Sequence, residues 1–443
     1  MNAPLRRHAC PGFFDPMPTG DGLLVRLTPS GKTIDLDRVR SLCAAARAHG
    51  NGIIEVTSRG SIQLRGFTAA SHLDFVRDAR SLAIATEGLP LICDPLAGLH
   101  PRVGFDAAAF ADALREAIPD KLYRGIAPKV SVVIDAGGEL HLDAIAADLR
   151  LRTRDGTRFQ IALGGNALDA IVVGDIAHRH AINAAVRLLE IIAERGRSAR
   201  ARDILREQGE DIFRAALHEL LIEREALPRR SLAEPLGMHS LRDGSVALGI
   251  GLAFGHTDVD TLEHWLAAAQ RAAAAGLRTA ARTLLVIGIT PTAATDLAAT
   301  ADQLGFIVRP DDPRRHISAC AGAPICAAAQ IPARAIAPAI AEAAAGLLDG
   351  SFTLHVSGCA KGCAHSATSM LSVVGRVGGA DLVFNGAAAD RGIARFPTDT
   401  CARRLARLAN AIADCDRSEG MAATLARLGP DRIRALFTEE SDG

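Results

Sequence analysis

The chain has 443 residues, of which 50 are basic and 50 acidic, so its formal charge at neutral pH is zero. That balance removes any whole-chain electrostatic case for nucleic acid or an anionic membrane as the partner. With 49% apolar residues the chain can bury several cores, and its length predicts about two to four domains.

The N-terminal stretch MNAPLRRHACPGFF has two arginines but no apolar run after them, so it is not typical of a secretory signal. No apolar run in the sequence reaches the ~18 residues that a membrane-spanning helix needs. Nine cysteines with uneven spacing are not typical of a secreted disulfide framework. We therefore expect a cytoplasmic protein whose clustered cysteines bind metal or carry out redox chemistry.

The first elements of the chain return later in the sequence. DGLLVRL begins with the Asp-Gly that also begins DGSVALGIGL, and VTSRGSIQLRG aligns with RTAARTLLVIG, both pairs at positions 222 apart. Between them each copy has an Ala-rich helical segment that ends at Gly, a helix C-terminal signal. The pattern predicts a duplicated strand-helix-strand unit, although chance matching of Ala-rich helices remains an alternative.

A larger segment follows each copy. After the first, PKVSVVIDAGGELHL predicts a β-hairpin around Gly137 and Gly138, and RFQIALGG and AIVVG predict strands. After the second, SFTLHVS, LSVVGRV and DLVFNG predict strands. We therefore expect four domains, small and large in alternation, at residues 1–80, 81–225, 226–310 and 311–443.

Four cysteines form two pairs in the last third of the chain. Cys320 and Cys326 have five residues between them, Cys359 and Cys363 have three, and thirty-two residues separate the pairs. Because iron-sulfur clusters are commonly held by four thiolates, the pattern predicts such a cluster. Structural zinc is an alternative, since zinc sites place paired cysteines two to four residues apart, which fits only the second pair.

The residues around the cysteines predict how the loops are built. SFTLHVS alternates apolar and polar residues, so we expect a half-buried strand that leads to the second pair. ICAAAQ and CAHSATSM predict helices whose N-terminal amides would face an anionic cluster. Gly322, Gly358 and Gly362 would let the backbone turn sharply beside the cluster.

The cysteine pairs and the duplicated plan together resemble the nitrite and sulfite reductases, whose C-x5-C and C-x3-C pairs hold a 4Fe-4S cluster beside siroheme. The resemblance covers nearly the whole chain. It implies an α+β fold with duplicated ferredoxin-like half-domains and two larger α/β lobes in a pseudo-twofold arrangement. The implied cluster ligands are Cys320, Cys326, Cys359 and Cys363, the last being nearest the ring. A siroheme-dependent sulfite or nitrite reductase is therefore one candidate function.

The resemblance also implies side chains that hold the carboxylates of a tetrapyrrole. Thr57-Ser58-Arg59 is similar to the family's Thr-Thr-Arg-Gln element, and the guanidinium of Arg59 is suited to paired hydrogen bonds with a carboxylate. Gln63 and Arg65 follow in the same stretch as further candidates. Lys129 in APKVSVV matches one lysine of a second family element.

Two basic positions of the family's siroheme pocket are not basic in this chain. Ser131 stands where a second lysine is expected, and Leu89 and Pro90 stand for an Arg-Asn pair. A buried carboxylate without a partner costs several kcal/mol, so siroheme in its usual orientation would be poorly held. These departures favour a pocket that holds a related ring.

The opening ACPGFFDPMPTGDGLLVRL resembles one branch of the family, which takes precorrin-3A as a substrate in aerobic cobalamin biosynthesis. The resemblance implies a monooxygenation by dioxygen, with C20 hydroxylation and γ-lactone formation. It further implies a 4Fe-4S cluster, a mononuclear non-haem iron, NADH as electron source and an electron-donating reductase as partner. Neither nucleic acid nor a membrane is an expected partner.

Candidate ligands for the mononuclear iron lie near the cluster cysteines in sequence. They are His316, His355 and His365, with Asp311 and Asp312 upstream. Non-haem oxygenases often use two histidines and one carboxylate, but each of these histidines fits a structural role at least as well. A non-enzymatic 4Fe-4S electron carrier is a further alternative, which leaves the two large lobes unexplained.

Overall fold

The computed structural model describes residues 11–84, 88–154, 156–222, 227–365, 367–413 and 419–438. The first small domain contains β1 (Met17–Thr19), β2 (Gly22–Leu27), α1 (Leu36–His49), β3 (Ile53–Val56), β4 (Ile62–Phe67) and α2 (Ala69–Ala79). The first large lobe contains β5 (Leu91–Cys93), α3 (Ala107–Ala117), α4 (Asp120–Gly125), β6 (Val132–Asp135), β7 (Ala147–Thr153), β8 (Arg158–Gly165), β9 (Ile171–Ala177), α5 (Ala181–Glu194), α6 (Ala201–Gln208), α7 (Asp211–Leu217) and β10 (Leu221–Ile222).

The second half of the chain repeats this plan. Its small domain contains β11 (Gly237–Ser240), β12 (Val246–Gly251), β13 (His256–Asp258), α8 (Val259–Arg271), β14 (Gly276–Ala280), β15 (Thr283–Ile289) and α9 (Pro291–Gln303). The C-terminal lobe contains β16 (Ile317–Ala319), α10 (Ala333–Ala343), β17 (Leu354–Ser357), β18 (Ser369–Arg376), β19 (Gly379–Gly386), β20 (Ala394–Phe396), α11 (Cys401–Ala411) and α12 (Met421–Thr438). Of the helices in the described ranges, none has the length and apolar composition required to cross a bilayer.

The chain divides into two compact units. The first contains Leu23–Ile250 and Thr257–Leu304, with a short piece that ends at Met17. The second contains Pro18–Gly22, Gly251–His256 and the chain from Gly305 onward. Both small domains therefore lie mainly in the first unit, and the C-terminal lobe forms most of the second.

The two small domains share the order strand, helix, strand, strand, helix. Ala69 and Pro291, the first residues of α2 and α9, are 222 positions apart, which is the offset seen in the sequence. Each of these helices starts at a threonine whose hydroxyl accepts a hydrogen bond from a backbone amide three residues on, a stabilising N-cap.

The two copies also pair with each other within the first unit. Ile34 forms an antiparallel bridge with Leu277, and the Arg282 amide donates to the Thr57 carbonyl at 3.0 Å. The Thr279 hydroxyl donates to the Gly60 carbonyl at 2.6 Å. Equivalent hairpin turns of the two copies therefore contact each other.

The two large lobes share a sheet pattern as well. In the first lobe the order is β10-β9-β8-β7-β6-β5, and in the C-terminal lobe it is β16-β17-β18-β19-β20. The central strands β6 and β17 each pair in parallel with both neighbours, while the remaining pairs are antiparallel. Val132 and Leu354, where β6 and β17 begin, are again 222 positions apart.

The predicted hairpin around Gly137 and Gly138 is wrong. The segment after these glycines forms no strand, because β6 pairs in parallel with β5 and β7. Asp135 instead closes the turn: its carboxylate accepts from the Gly137 amide at 2.8 Å and the Leu142 amide at 3.3 Å. A Gly-Gly signal marks a turn but does not identify the partner strand.

Candidate functional site

Parallel strands bring the two cysteine pairs to one edge of the C-terminal sheet. β16 and β17 pair in parallel, with Ile317 opposite Leu354. Cys320 directly follows β16, and Cys359 follows β17 after one glycine. Because the carboxyl ends of neighbouring parallel strands lie at the same edge, the loops that begin there meet.

Backbone hydrogen bonds join the two cysteine loops. The Gln330 amide donates to the Gly358 carbonyl at 2.7 Å, and the Gly358 amide donates to the Cys320 sulfur at 3.0 Å. The Cys326 amide donates to the Gly322 carbonyl at 2.8 Å. Amide hydrogen bonds to sulfur are one of the ways in which proteins tune iron-sulfur clusters.

Glycines allow the loops to pack this closely. A Cβ on Gly358 would lie 2.7 Å from the Ala329 Cβ and 3.3 Å from the Cys320 sulfur. A Cβ on Gly20 would overlap the Cys326 sulfur, and the Gly20 carbonyl accepts from the Ala327 amide at 3.0 Å. Gly20, near the start of the chain, therefore forms part of the wall around the first cysteine pair.

The thiols of the two tied loops lie close enough to influence the protonation of Cys320. Burial raises the pKa of Cys320, and the nearby Cys326 and Cys359 raise it further, while amide bonds from Gly358 and Gly322 oppose the rise. Across the described ranges, no three His, Cys, Asp or Glu side chains converge as one metal ion requires. Four thiols on two tied loops suit a cubane, in which each iron takes its own thiolate.

The helices predicted at the cysteine loops are wrong. Residues 325–330 form turns, and α10 begins only at Ala333. The reason is that loop contacts use the amides: Cys326 and Ala327 donate to the Gly322 and Gly20 carbonyls. Residues 363–365 are not helical either, Ser366 lies outside the described residues, and β18 begins at Ser369.

The strand that leads to the second pair is buried on both faces, so the prediction of a half-buried strand is wrong. All four residues of β17 are buried, because Leu354 and Val356 lie in the lobe core on one face and the Cys359–Cys363 loop covers His355 on the other. His355 is fully buried, and burial, with a smaller contribution from His365, lowers the pKa of His355 to about 4.

The three histidines predicted to bind iron do not share one position. The His355 and His365 rings have centroids 5.7 Å apart, whereas His316 lies against Gly350. The Asp312 carboxylate is bound by the Arg314 guanidinium at 2.6 Å, and Asp311 is exposed. Within the residues described, a triad of two histidines and one carboxylate is therefore not assembled.

A row of polar side chains lies on one face of the first small sheet. Gln63 of β4 is in register with Arg26 of β2 and Glu55 of β3. With its amide oriented to satisfy these neighbours, Gln63 donates to Glu55 at 3.2 Å and accepts from Arg26 at 2.6 and 2.9 Å. Arg65 lies two residues on and pairs with Glu55 at 3.5 Å. The sequence analysis missed Arg26, which the strand pairing of GLLVRL with SIQLRG would have indicated.

Arg59 lies in the turn before β4, outside this row. Its side chain is exposed and donates to the Ala146 carbonyl at 3.1 Å. The turn is closed by the Thr57 amide, which donates to the Ser61 carbonyl at 2.9 Å. The structure therefore brings Gln63 and Arg65 together with Arg26, and holds Arg59 on a separate loop of the same unit.

The positions that depart from the siroheme pattern are part of the first lobe's interior. Leu89 is buried in the core, and Ser131 is buried with its amide donating to Asp148 at 3.1 Å. Asp148 in turn accepts two hydrogen bonds from Arg200, at 2.8 and 2.9 Å. Lys129 is exposed in the turn before β6. Leu89 and Ser131 are therefore part of the packed interior of the first lobe.

Comparisons with known proteins agree with this architecture. Residues 15–82 match the family model described as the nitrite/sulfite reductase ferredoxin-like half domain. The structure of the Mycobacterium tuberculosis NirA protein superposes with a TM-score of 0.71, covering 93% of this chain and 84% of that chain at 18% identity. The predicted α+β fold with ferredoxin-like half-domains is confirmed, and the chain has the fold of the NirA protein.

One sequence relative narrows this fold to a family. A precorrin-3B synthase from a Sinorhizobium species is 39% identical over 448 residues, which cover 99% of this chain and 96% of that protein. Such identity over nearly the full length of both proteins leaves no large domain unmatched. The chain belongs to the precorrin-3B synthase family.

Proposed function

We propose that this protein is a precorrin-3B synthase, an oxidoreductase of cobalamin biosynthesis that acts on the tetrapyrrole precorrin-3A. The observation that carries the proposal is the 39% identity to a precorrin-3B synthase over 99% of the chain. The rival function, siroheme-dependent reduction of sulfite or nitrite, is disfavoured because Leu89 and Ser131 stand at two expected ring-binding positions and are buried in the first lobe.

The proposed reaction is a monooxygenation. Dioxygen gives one oxygen atom to C20 of the macrocycle as a hydroxyl group, while the ring A acetate oxygen adds to the neighbouring ring carbon and closes the γ-lactone. The double bond between these two carbons is consumed, and the lactone closes without loss of water. The other oxygen atom leaves as water, with two electrons from NADH, one proton from NADH and one from solvent. The product is therefore heavier than precorrin-3A by one oxygen atom, and a separate reductase would deliver the electrons in the cytoplasm.

The proposed cofactor is a 4Fe-4S cluster. Its ligands would be Cys320, Cys326, Cys359 and Cys363. A bound cluster supplies one-electron transfer. The chain itself contributes the hydrogen bond from the Gly358 amide to the Cys320 sulfur and the tie between Gln330 and Gly358, which fix the two loops relative to each other.

The proposed ring-binding groups are the polar row on the first small sheet and two loop residues. Arg26 and Arg65 carry two positive charges against the single negative charge of Glu55, so the row can bind a carboxylate. The loop residues are Arg59 and Lys129. In the second small domain, Leu285 and Ile287 stand 222 positions from Gln63 and Arg65, and both are buried in a core cluster.

This difference between the copies supports the ring-binding proposal. The apolar face of the second copy packs against Leu96 and Leu140 of the first lobe. The equivalent face of the first copy carries Gln63 and Arg65, which are not suited to packing against an apolar core. The mononuclear iron rests on the resemblance alone, with His316, His355 and His365 as candidates, and no step is assigned to it.

The proposal is tested by assaying the protein with its substrate. We would purify it without oxygen, measure iron and labile sulfide, and then add precorrin-3A, a reductant and air. The expected product has gained one oxygen atom and shows the lactone by mass spectrometry and NMR. A purified protein with a siroheme spectrum and sulfite-reducing activity would support the rival instead.

Matched cysteine variants test the cluster ligands. Cys359→Ser should lose most of the iron and labile sulfide, because a hydroxyl is a poor replacement for a thiolate ligand. Cys43→Ser is the control, since Cys43 is a buried residue on α1 and not in the cysteine loops. Equal cluster content in the two variants would contradict the assignment.

A further inference from the structure

Three polar side chains cross the sheet of the C-terminal lobe under the second cysteine loop. Ser318 of β16 and Ser372 of β18 are the register partners of His355 on β17, so the three share one face of the sheet. Their exposed fractions are 3%, 0% and 0% for Ser318, His355 and Ser372. This His355 row is therefore sealed from bulk solvent.

The loop that carries Cys359 and Cys363 rests directly on the His355 row. A Cβ on Gly362 would lie 3.6 Å from the His355 Cε1 atom, and the Ser318 hydroxyl donates to the Ala364 carbonyl at 2.9 Å. The His365 ring lies beside that of His355, with centroids 5.7 Å apart. The row is thus the floor on which this loop is built.

The row contains polar atoms that the protein does not satisfy. Three atoms have no hydrogen-bond partner among the described residues: both ring nitrogens of His355 and the hydroxyl oxygen of Ser372. A buried polar atom without a partner is destabilising, and native structures keep few of them. Three such atoms on two neighbouring strands are therefore evidence for a bound molecule that completes them.

Water fits these atoms better than a metal ion does. A neutral imidazole has one donor and one acceptor nitrogen, and a serine hydroxyl can both donate and accept. An internal water makes two to four such bonds. The row itself has no carboxylate or thiolate, and the described residues offer no set of three metal ligands.

We propose that an ordered internal water is bound between His355 and Ser372, and that this hydrated row positions the Cys359–Cys363 loop. With this water bound, His355 can pack beneath the loop and still have its ring nitrogens hydrogen-bonded. Gly362 and Ala364 then rest on a fixed surface, and so do the thiols on either side. The inference rests on the proposed function only in taking this loop to hold a cluster.

The test is a high-resolution crystal structure of the full-length protein combined with Ser372→Ala. We expect a water within hydrogen-bond distance of His355 and Ser372 in the wild-type protein. Ser372→Ala should lower Tm by about 2–4 °C, since a hydrogen bond of about 1 kcal/mol is lost. A dry row predicts the opposite shift, because removing an unsatisfied hydroxyl is stabilising. Density for a metal ion, or for a protein side chain in place of the water, would also overturn the proposal.

A matched variant separates the row from any other buried serine. Ser131 in the first lobe is equally buried, and its hydroxyl also has no partner in the described part of the chain. The neighbouring Asp148 side chain, however, has both oxygens hydrogen-bonded, so nothing there marks a bound water. Ser131→Ala should therefore raise Tm slightly or leave it unchanged. A fall in Tm equal to that of Ser372→Ala would show that the effect is not specific to the row.

To test whether the His355 row positions the Cys359–Cys363 loop, a quantity is needed that does not change when only the stability of the protein changes. Ser372→Ala and His355→Gln should shift the EPR g-values of the reduced cluster while iron and sulfide content stay at the wild-type level. Unchanged g-values would refute positioning. If the wild-type protein binds no cluster, the proposed function fails, whereas the water and the Tm shift of Ser372→Ala still decide whether the row is hydrated.

Discussion

The two large lobes carry different chemistry at the same place in the same strand pattern. In both, a central strand pairs in parallel with its two neighbours, and Gly137 and Cys359, just beyond these strands, are 222 positions apart. In the C-terminal lobe this edge carries the cysteine loops. In the first lobe it carries Asp94 and Asp135, both almost fully buried.

The edge of the first lobe is satisfied by donors from the same compact unit. The Ala136 amide donates to Asp94 at 3.3 Å, and Arg230 binds both Asp135 and Asp143. The carboxylates are thereby committed to holding loops together. The comparison teaches that the same strand edge can be closed by paired carboxylates in one lobe and carry cysteine loops in the other, so the strand topology alone does not decide its role.

Removing Arg230 should have the largest effect on stability, because its guanidinium pairs with the carboxylates at the strand edge of the first lobe. Arg230→Met leaves the buried Asp135 carboxylate without its charged partner, and we expect a loss of about 3 kcal/mol in the free energy of unfolding. Chemical denaturation would measure it. Arg395→Ala is the control, since the Arg395 side chain is exposed and its contact with Asp381 is long, at 3.9 Å. Similar losses in both variants would contradict this view.

Glycine-to-alanine substitutions test how tightly the corresponding strand edges of the two lobes are packed. In Gly358→Ala the new Cβ meets Ala329 at 2.7 Å and Cys320 at 3.3 Å, so the two cysteine loops must separate. We expect a loss of about 1–3 kcal/mol and reduced iron content. Gly137→Ala meets nothing closer than 3.8 Å and should cost only the backbone strain of its positive φ, about 1 kcal/mol. Iron retained in full by Gly358→Ala would count against the tied-loop site.

The buried carboxylate of the first lobe should make stability depend on pH. Burial, and then the negative charge of Asp135, raise the pKa of Asp94 to about 7. The folded protein therefore holds this proton up to about pH 7, whereas the unfolded chain releases it near pH 4. The proton on Asp94 therefore stabilises the folded state fully below about pH 4. This stabilisation is lost as the pH rises to about 7, and the free energy of unfolding falls by at most about 1.4 kcal/mol per pH unit.

Asp94→Asn should remove that slope. The asparagine carries no proton to lose, so the unfolding free energy of the variant should change less between pH 4 and pH 7 than that of the wild type. Denaturant titrations at several pH values would measure both slopes. Identical slopes would mean that another group is responsible.

The smallest effect is expected at Lys361, inside the C-x3-C loop. Its side chain is exposed, while the loop is held by backbone bonds such as that from the Gly358 amide to Cys320. Lys361→Ala should therefore leave Tm and iron content unchanged. A clear drop in iron content would show that the lysine, and not only the backbone, maintains the site.

Local sequence carried much of the information about the fold. The strand prediction for SFTLHVS located β17, and the glycine that ends the first Ala-rich segment located the end of α1 at His49. The 222-residue offset indicated the duplication, which the element order of the small domains reproduces. The spacing of the four cysteines placed the candidate cluster in the lobe whose parallel strands do bring the loops together.

Local sequence failed where distant partners decide the structure. ICAAAQ has high helix propensity, but the Gly20 and Gly322 carbonyls take its amides and hold it as a loop. His355 looked like the solvent-facing residue of a half-buried strand, because nothing in SFTLHVS reveals that the Cys359–Cys363 loop covers it. Arg26 was missed for the same reason, since its contact with Gln63 depends on strand pairing.

The contact between Gly20 and the Cys326 loop has a consequence for how the protein is made. Gly20 is synthesised about 300 residues before the loop that it supports. The compact unit that contains the cysteines is therefore completed only when both segments are present. Insertion of a cluster should accordingly be a late, post-translational event, and neither half of a split gene should yield it alone.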